Sequence, residues 1–135
     1  MTFLKWDKQY QLNISLIDKQ HKRLFLLIDN FYQALKQKQS KQGMAELLNG
    51  LAEYTIYHFN AEEWFMKLYK YPVHQQHKAA HKEFIENVQD FQTRFEQGRL
   101  LIPLEVANFL KDWLSNHILT ADKQLALFLI QKGVL

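Results

Sequence analysis

Three histidines fall within nine residues at HQQHKAAHK (74–82), half of the six in the chain. Imidazole is a common metal ligand and proton carrier. His77 and His81 stand four apart, so on a helix both side chains point the same way. The same spacing recurs in HFNAE, between His58 and Glu62. A third pair, His117 and Asp122 in HILTAD, stands five apart. On an ideal α-helix of 3.6 residues per turn that step turns about 140°. The pair shares a face only if the helix carries a π-bulge or an equivalent distortion, a feature frequent at functional sites. The spacing predicts one there. His21 adds a fifth imidazole.

Rods must hold these side chains, and the chain has the pattern for four. The first stripe reads Leu24, Ile28, Phe31, Leu35, after a Ser15–Asp18 run that resembles a capping box. The polar run KQKQSKQG (36–43) ends it, and Ser40 is the expected N-cap of the next helix. The second face carries Leu47, Leu51, Tyr54, His58, Glu62 and Phe65, and Tyr71-Pro72 breaks it. The third carries His77, His81, Phe84, Val88, Phe91 and Phe95. The fourth carries Val106, Leu110, Trp113, His117, Ala121, Leu125 and Phe128. The expected helices span about 18–37, 41–69, 73–97 and 103–131. Short connections make sequential helices antiparallel neighbours, so the expected fold is all-α, an up-down-up-down antiparallel four-helix bundle. Residues 1–17 are read as an N-terminal arm packed over it. In that arrangement His21, His58/Glu62, His77/His81 and His117/Asp122 lie at the same end of the bundle.

A length of 135 residues suits one domain, 1–135, and a start at Met1 is read as a near-complete chain without an attached output domain. Apolar residues are 47% of the chain, with four glycines and two prolines, which disfavours an all-β protein. Cysteine is absent, which excludes disulfides, thiolate zinc sites and iron–sulfur clusters. The net charge of +3 is dispersed, with no basic block interleaved with aromatics, so nucleic acid is not an expected partner. No stretch approaches the roughly 18 apolar residues of a membrane span, so membrane insertion is not expected and a cytoplasmic location is the default.

A buried carboxylate without a partner costs several kcal/mol, and a bound cation removes that penalty while using the imidazoles. Five imidazoles and two carboxylates exceed one tetrahedral site. They suit two metals bridged by two carboxylates and a hydroxide. One metal takes three histidines and the other two, which leaves the second a free position. Imidazole-rich shells suit iron, copper, zinc or nickel, and a free position beside a redox-active pair points to dioxygen. Hydrogen-bonded core histidines are the plainer alternative, but five on convergent faces with two acids exceed what that explains.

Together these segments resemble the hemerythrin family over nearly the whole chain. The resemblance rests on Trp6, Tyr10, the I-D-x-Q-H run ending at His21, H-F-x-x-E-E (58–63), Y-P-x-x-x-x-H-x-x-x-H (71–81) and W-L-x-x-H-I-x-x-x-D (113–122). It implies reversible dioxygen binding at a non-haem di-iron centre, for oxygen storage, buffering, transport or delivery. His77, His81 and His117 would hold one iron and His21 and His58 the iron with the free position. Glu62, Asp122 and an oxo or hydroxo group would bridge them. Leu24, Phe59, Trp113 and Leu114 lie near these ligands by spacing and are the candidate oxygen pocket. A dioxygen binder of this kind is expected to be no enzyme, with an oxygen-consuming enzyme as a possible recipient, and the chain is expected to be a monomer.

The alternatives are a sensor of oxygen or nitric oxide acting through a separate partner, and a di-iron oxidase or peroxide scavenger. Oxidase sites of the ferritin kind use Glu-x-x-His motifs, and no Glu here has His three positions on. His74 is read as a non-ligand in the first turn of its helix, and Glu63 as a solvated neighbour of the bridge. The run LALFLI (125–130) is apolar on every face and is expected to be covered by the arm rather than by a second copy.

Overall fold

A heptad-like stripe on each rod leaves one apolar face that must find a partner. The computed structural model describes residues 3–37, 41–98 and 103–135. An extended arm with one 3-10 turn (Lys8–Tyr10) leads into α1 (Ser15–Lys36), then α2 (Lys41–Leu68) and α3 (His74–Glu96). The fourth rod is built from α4 (Pro103–His117), a π-helical stretch (Ile118–Asp122) and α5 (Lys123–Gln131). No strand occurs among the described residues, and the fold is the all-α four-helix bundle that the periodicity predicts. α1 packs on α2 and α4, and α2 on α3. Antiparallel alternation shows at the end away from the histidines. There Asn49, early in α2, accepts from Gln92, late in α3, at 2.7 Å, and Phe91 of α3 meets Phe109 of α4 at 5.5 Å. No described helix is long and apolar enough to cross a membrane.

α1 begins at Ser15, earlier than its stripe suggests, and the capping-box reading is corrected. Its N-cap is Ile14, without a side-chain cap bond. The Asp18 carboxylate instead reaches back past the helix start and accepts from the N–H groups of Leu12 (2.8 Å) and Asn13 (3.0 Å). A second α1 carboxylate, Asp29, accepts from the N–H groups of Phe3 (2.7 Å) and Leu4 (3.1 Å). The two aspartates therefore pin the arm at both ends along α1. Between them Leu4, Tyr10, Leu12 and Ile14 are buried, and Phe3 stacks on Tyr32 at 4.0 Å. Burial of each aliphatic chain contributes roughly 1.5–3 kcal/mol. The expected Ser40 N-cap lies outside the described residues.

The helix ends use left-handed residues. Gly133 (φ 89°) closes α5, with its N–H on the Ile130 carbonyl and that of Val134 on Leu129. The same pattern ends α2 at Lys70 (φ 56°), where the Tyr71 N–H meets the Met66 carbonyl at 2.9 Å. The arm does not cover the whole C-terminal run. Leu125, Ala126 and Leu129 turn into the core, and Phe128 packs on Tyr71 at 5.0 Å. Leu127 and Ile130 stay 56% and 38% exposed. One face of α5 suffices to close the bundle, so the rest of the run meets solvent.

Candidate metal centre

Each of the four rods delivers its polar side chains to one level of the bundle. His21 comes from the start of α1, His58 and Glu62 from the end of α2, and His77 and His81 from the start of α3. His117 and Asp122 come from either end of the π-helical stretch. All seven are buried, none more than 6% exposed. Ile118–Asp122 is π-helical, as the five-residue step predicts, and this turn brings His117 within 3.1 Å of Asp122. The Thr120 hydroxyl, donating to the Asn116 carbonyl at 2.7 Å, is the local side-chain bond that accompanies the distortion.

The seven side chains divide into two sets that share both acids: Glu62, His77, His81, His117 and Asp122, and His21, His58, Glu62 and Asp122. The division reaches single atoms. Oε1 of Glu62 faces Nε2 of His81 (3.0 Å) and His77 (3.5 Å), while its Oε2 faces Nε2 of His58 (3.3 Å) and His21 (3.5 Å). Oδ1 of Asp122 faces His77 (2.9 Å) and His117 (3.1 Å), and its Oδ2 faces His21 (3.2 Å). Each carboxylate thus turns one oxygen to each set. His74 is exposed, outside both sets, with Nδ1 at 3.0 Å from the Tyr71 carbonyl.

Two of the outer nitrogens have partners that sequence reasoning missed, while Nδ1 of His21 is buried without one among the described residues. His58 Nδ1 lies 2.7 Å from Gln20 Oε1, and His81 Nδ1 lies 3.0 Å from Glu63 Oε2. Glu63 is therefore not a free solvated neighbour. Adjacent helical residues diverge by about 100°, so Glu62 enters the core while Glu63 reaches sideways to α3. Gln20 stood in the I-D-x-Q-H run, the one signal that could have marked it. Phe59 lies flat on the His81 ring (3.8 Å, 3°) and Trp113 on that of His117 (4.4 Å, 17°). These two walls back the three-histidine set. Leu24 and Leu114 are buried to 1% and 2% exposure.

The cluster's own side chains are electrostatically unusual. Burial alone would lower His21 and His77, but the Asp122 and Glu62 carboxylates overcome it and raise both to about 9. Burial dominates at His58 and lowers it, with His21 adding to the effect. Burial would push Glu62 up, yet the surrounding imidazoles of His58, His21 and His77 hold it well below the usual carboxylate range. Asp122 is likewise held low, by His117 and His21 against burial and Glu62.

Protons are a poor match for this geometry. Both oxygens of Glu62 and of Asp122, and Nε2 of His21, His58 and His77, are buried without a well-formed hydrogen bond among the described residues. Nε2 of His81 and of His117 face each other at 3.1 Å, so at most one of them can donate in that contact. Lone pairs from nitrogen and oxygen converge on two points, the donor chemistry of an imidazole–carboxylate metal site. The residues fit a cation in each set.

The profile of the family described as hemerythrin HHE cation binding domain matches residues 12–129. The chain is similar to a bacteriohemerythrin of Pseudomonas aeruginosa, 34% identical over 122 residues that cover 90% of this chain and 78% of that protein. It is also similar to a myohemerythrin of Sipunculus nudus, 33% identical over 119 residues, 87% of this chain and 86% of that one. A crystal structure of wild-type hemerythrin superimposes with a TM-score of 0.87 at 26% identity, over 92% of this chain and 95% of that chain.

Proposed function

The chain belongs to the hemerythrin family, and from that premise we propose that it binds dioxygen reversibly at a non-haem iron pair, for storage, buffering or delivery. The observation that carries the reading is the sharing of both acids between a three-imidazole and a two-imidazole set. His77, His81 and His117 would hold one iron, and His21 and His58 the other. Glu62 and Asp122 would bridge, with an oxo or hydroxo group completing the bridge. When bound, the pair supplies a redox-active centre with a position for dioxygen where one set is an imidazole short.

The chain's own residues supply the surroundings. The two shared carboxylates bring two negative charges against the ions, so the loaded site carries far less net charge than its metals alone. Phe59 and Trp113 fix the ring planes of His81 and His117 by stacking. Leu24 and Leu114, both buried, would line the dioxygen position with apolar surface and exclude water, which favours release of dioxygen over oxidation that cannot reverse.

The test is spectroscopic and begins with counting iron. The full chain should hold two irons, and the anaerobic ferrous form should gain a visible absorption band in air and lose it on deoxygenation. Prompt, irreversible oxidation without that band would favour an oxidase. His117→Ala removes a donor and leaves Asp122 less compensated. A variant that still held two irons would overturn the ligand assignment.

A further inference from the structure

The two outer hydrogen bonds of the imidazole shell are chemically unlike. With each Nε2 turned inward, the Nδ1 atoms of His58 and His81 carry the outer protons and donate them. His58 donates to an amide oxygen, Gln20 Oε1, at 2.7 Å, and His81 to a carboxylate oxygen, Glu63 Oε2, at 3.0 Å. Gln20 is buried at 3% exposure and offers only a dipole. The Glu63 side chain, 26% exposed, offers a full negative charge one imidazole removed from the site, and no lysine or arginine among the described residues pairs with it. Charge-assisted acceptors of this kind raise the donor strength of a ligating imidazole. Glu62 and Asp122 cannot create the same difference, because each turns one oxygen to either set. The extra imidazole and the extra charge fall on the same side.

We infer that Gln20 and Glu63 are positioning residues that make the two metal positions unequal. Glu63 fastens the ion at His77, His81 and His117. Gln20 orients His58 without adding charge, so the ion at His21 and His58 is the first to leave and the last to fill. The inference rests on the iron-pair reading, which fails separately if the parent chain cannot be loaded with two irons.

The iron-loaded full chain is titrated anaerobically with a ferrous chelator, and iron retained per chain is followed. The parent should release its two irons in two resolved steps. Glu63→Gln keeps an acceptor for His81 but removes the charge. It should lower the chelator concentration that extracts the second iron by about ten- to a hundredfold, leave the first step in place, and raise the midpoint potential of the pair. Gln20→Glu should make the first iron harder to extract. A purely structural role predicts neither that gain nor a shift of potential. Parent-like second-step retention and potential in Glu63→Gln would overturn the inference. So would a Gln20→Glu chain that holds its first iron no better than the parent. If circular dichroism shows Glu63→Gln unfolded, the Gln20→Glu arm decides alone.

Discussion

Phe59 joins two roles that adjacent residues rarely combine, since its backbone neighbour His58 faces one donor set while its own ring covers a ligand of the other. Its ring is 1% exposed and parallel to His81. Phe59→Ala should cost about 3–5 kcal/mol through cavity formation, read as a drop in melting temperature. It should also weaken iron retention, because His81 loses the surface that sets its plane. A destabilised variant with parent-like iron retention would show that the stacking is only core packing. At this scale the sequence was legible where side chains repeat on a helical face: the seven polar residues do converge. It was not legible where the partner lies on another helix. Glu63 looked solvated beside the bridge because its acceptor role depends on α3, and Asp18 looked like a cap because its role depends on where the arm folds back.

Helical elements were readable from apolar period, and the one irregular element from a conflict between period and chemistry. His117 and Asp122 cannot share a face of a regular α-helix, and the π-helical stretch resolves that conflict. The stretch holds one residue more than an α-turn needs. Deleting exposed Thr120 should turn the pair into an i,i+4 pair of an uninterrupted helix, with the register of α5 preserved. The deletion chain is expected to fold with parent-like helicity and to keep two metals. Loss of either would show that packing of α5, rather than the ligand pair, demands the extra residue. Element boundaries were less legible. Nothing local to Lys70 announces its left-handed conformation, and Ile14 is an apolar N-cap that tertiary burial selects over a polar one.

Across the whole molecule, protons and metal compete for the same buried donors, so pH should act oppositely on the empty and loaded forms. His21 and His77, raised to about 9, stabilise the empty fold fully below their ordinary 6.5, and that contribution is lost as pH rises through about 9. Glu62 and Asp122, held low, contribute above their ordinary values of 4.5 and 3.8 and lose that contribution on acidification. The metal-free chain should therefore be most stable in mildly acidic solution and weaken towards pH 9 in thermal melts. Metal requires neutral imidazoles, so loading at pH 7 should expel protons. Calorimetric heats of binding should then vary with the ionisation enthalpy of the buffer. Heats independent of buffer would show that the empty site does not hold those protons.

Between His58 and Glu63, α2 makes less than two turns, yet those turns bear a ligand, an aromatic wall, a shared acid and an outer acceptor. Any local unwinding there would dismantle both halves of the centre together, with no gentle excursion that opens a door to one side. Dioxygen bound as proposed would then come and go through the jostling of side chains rather than by an unwinding of α2.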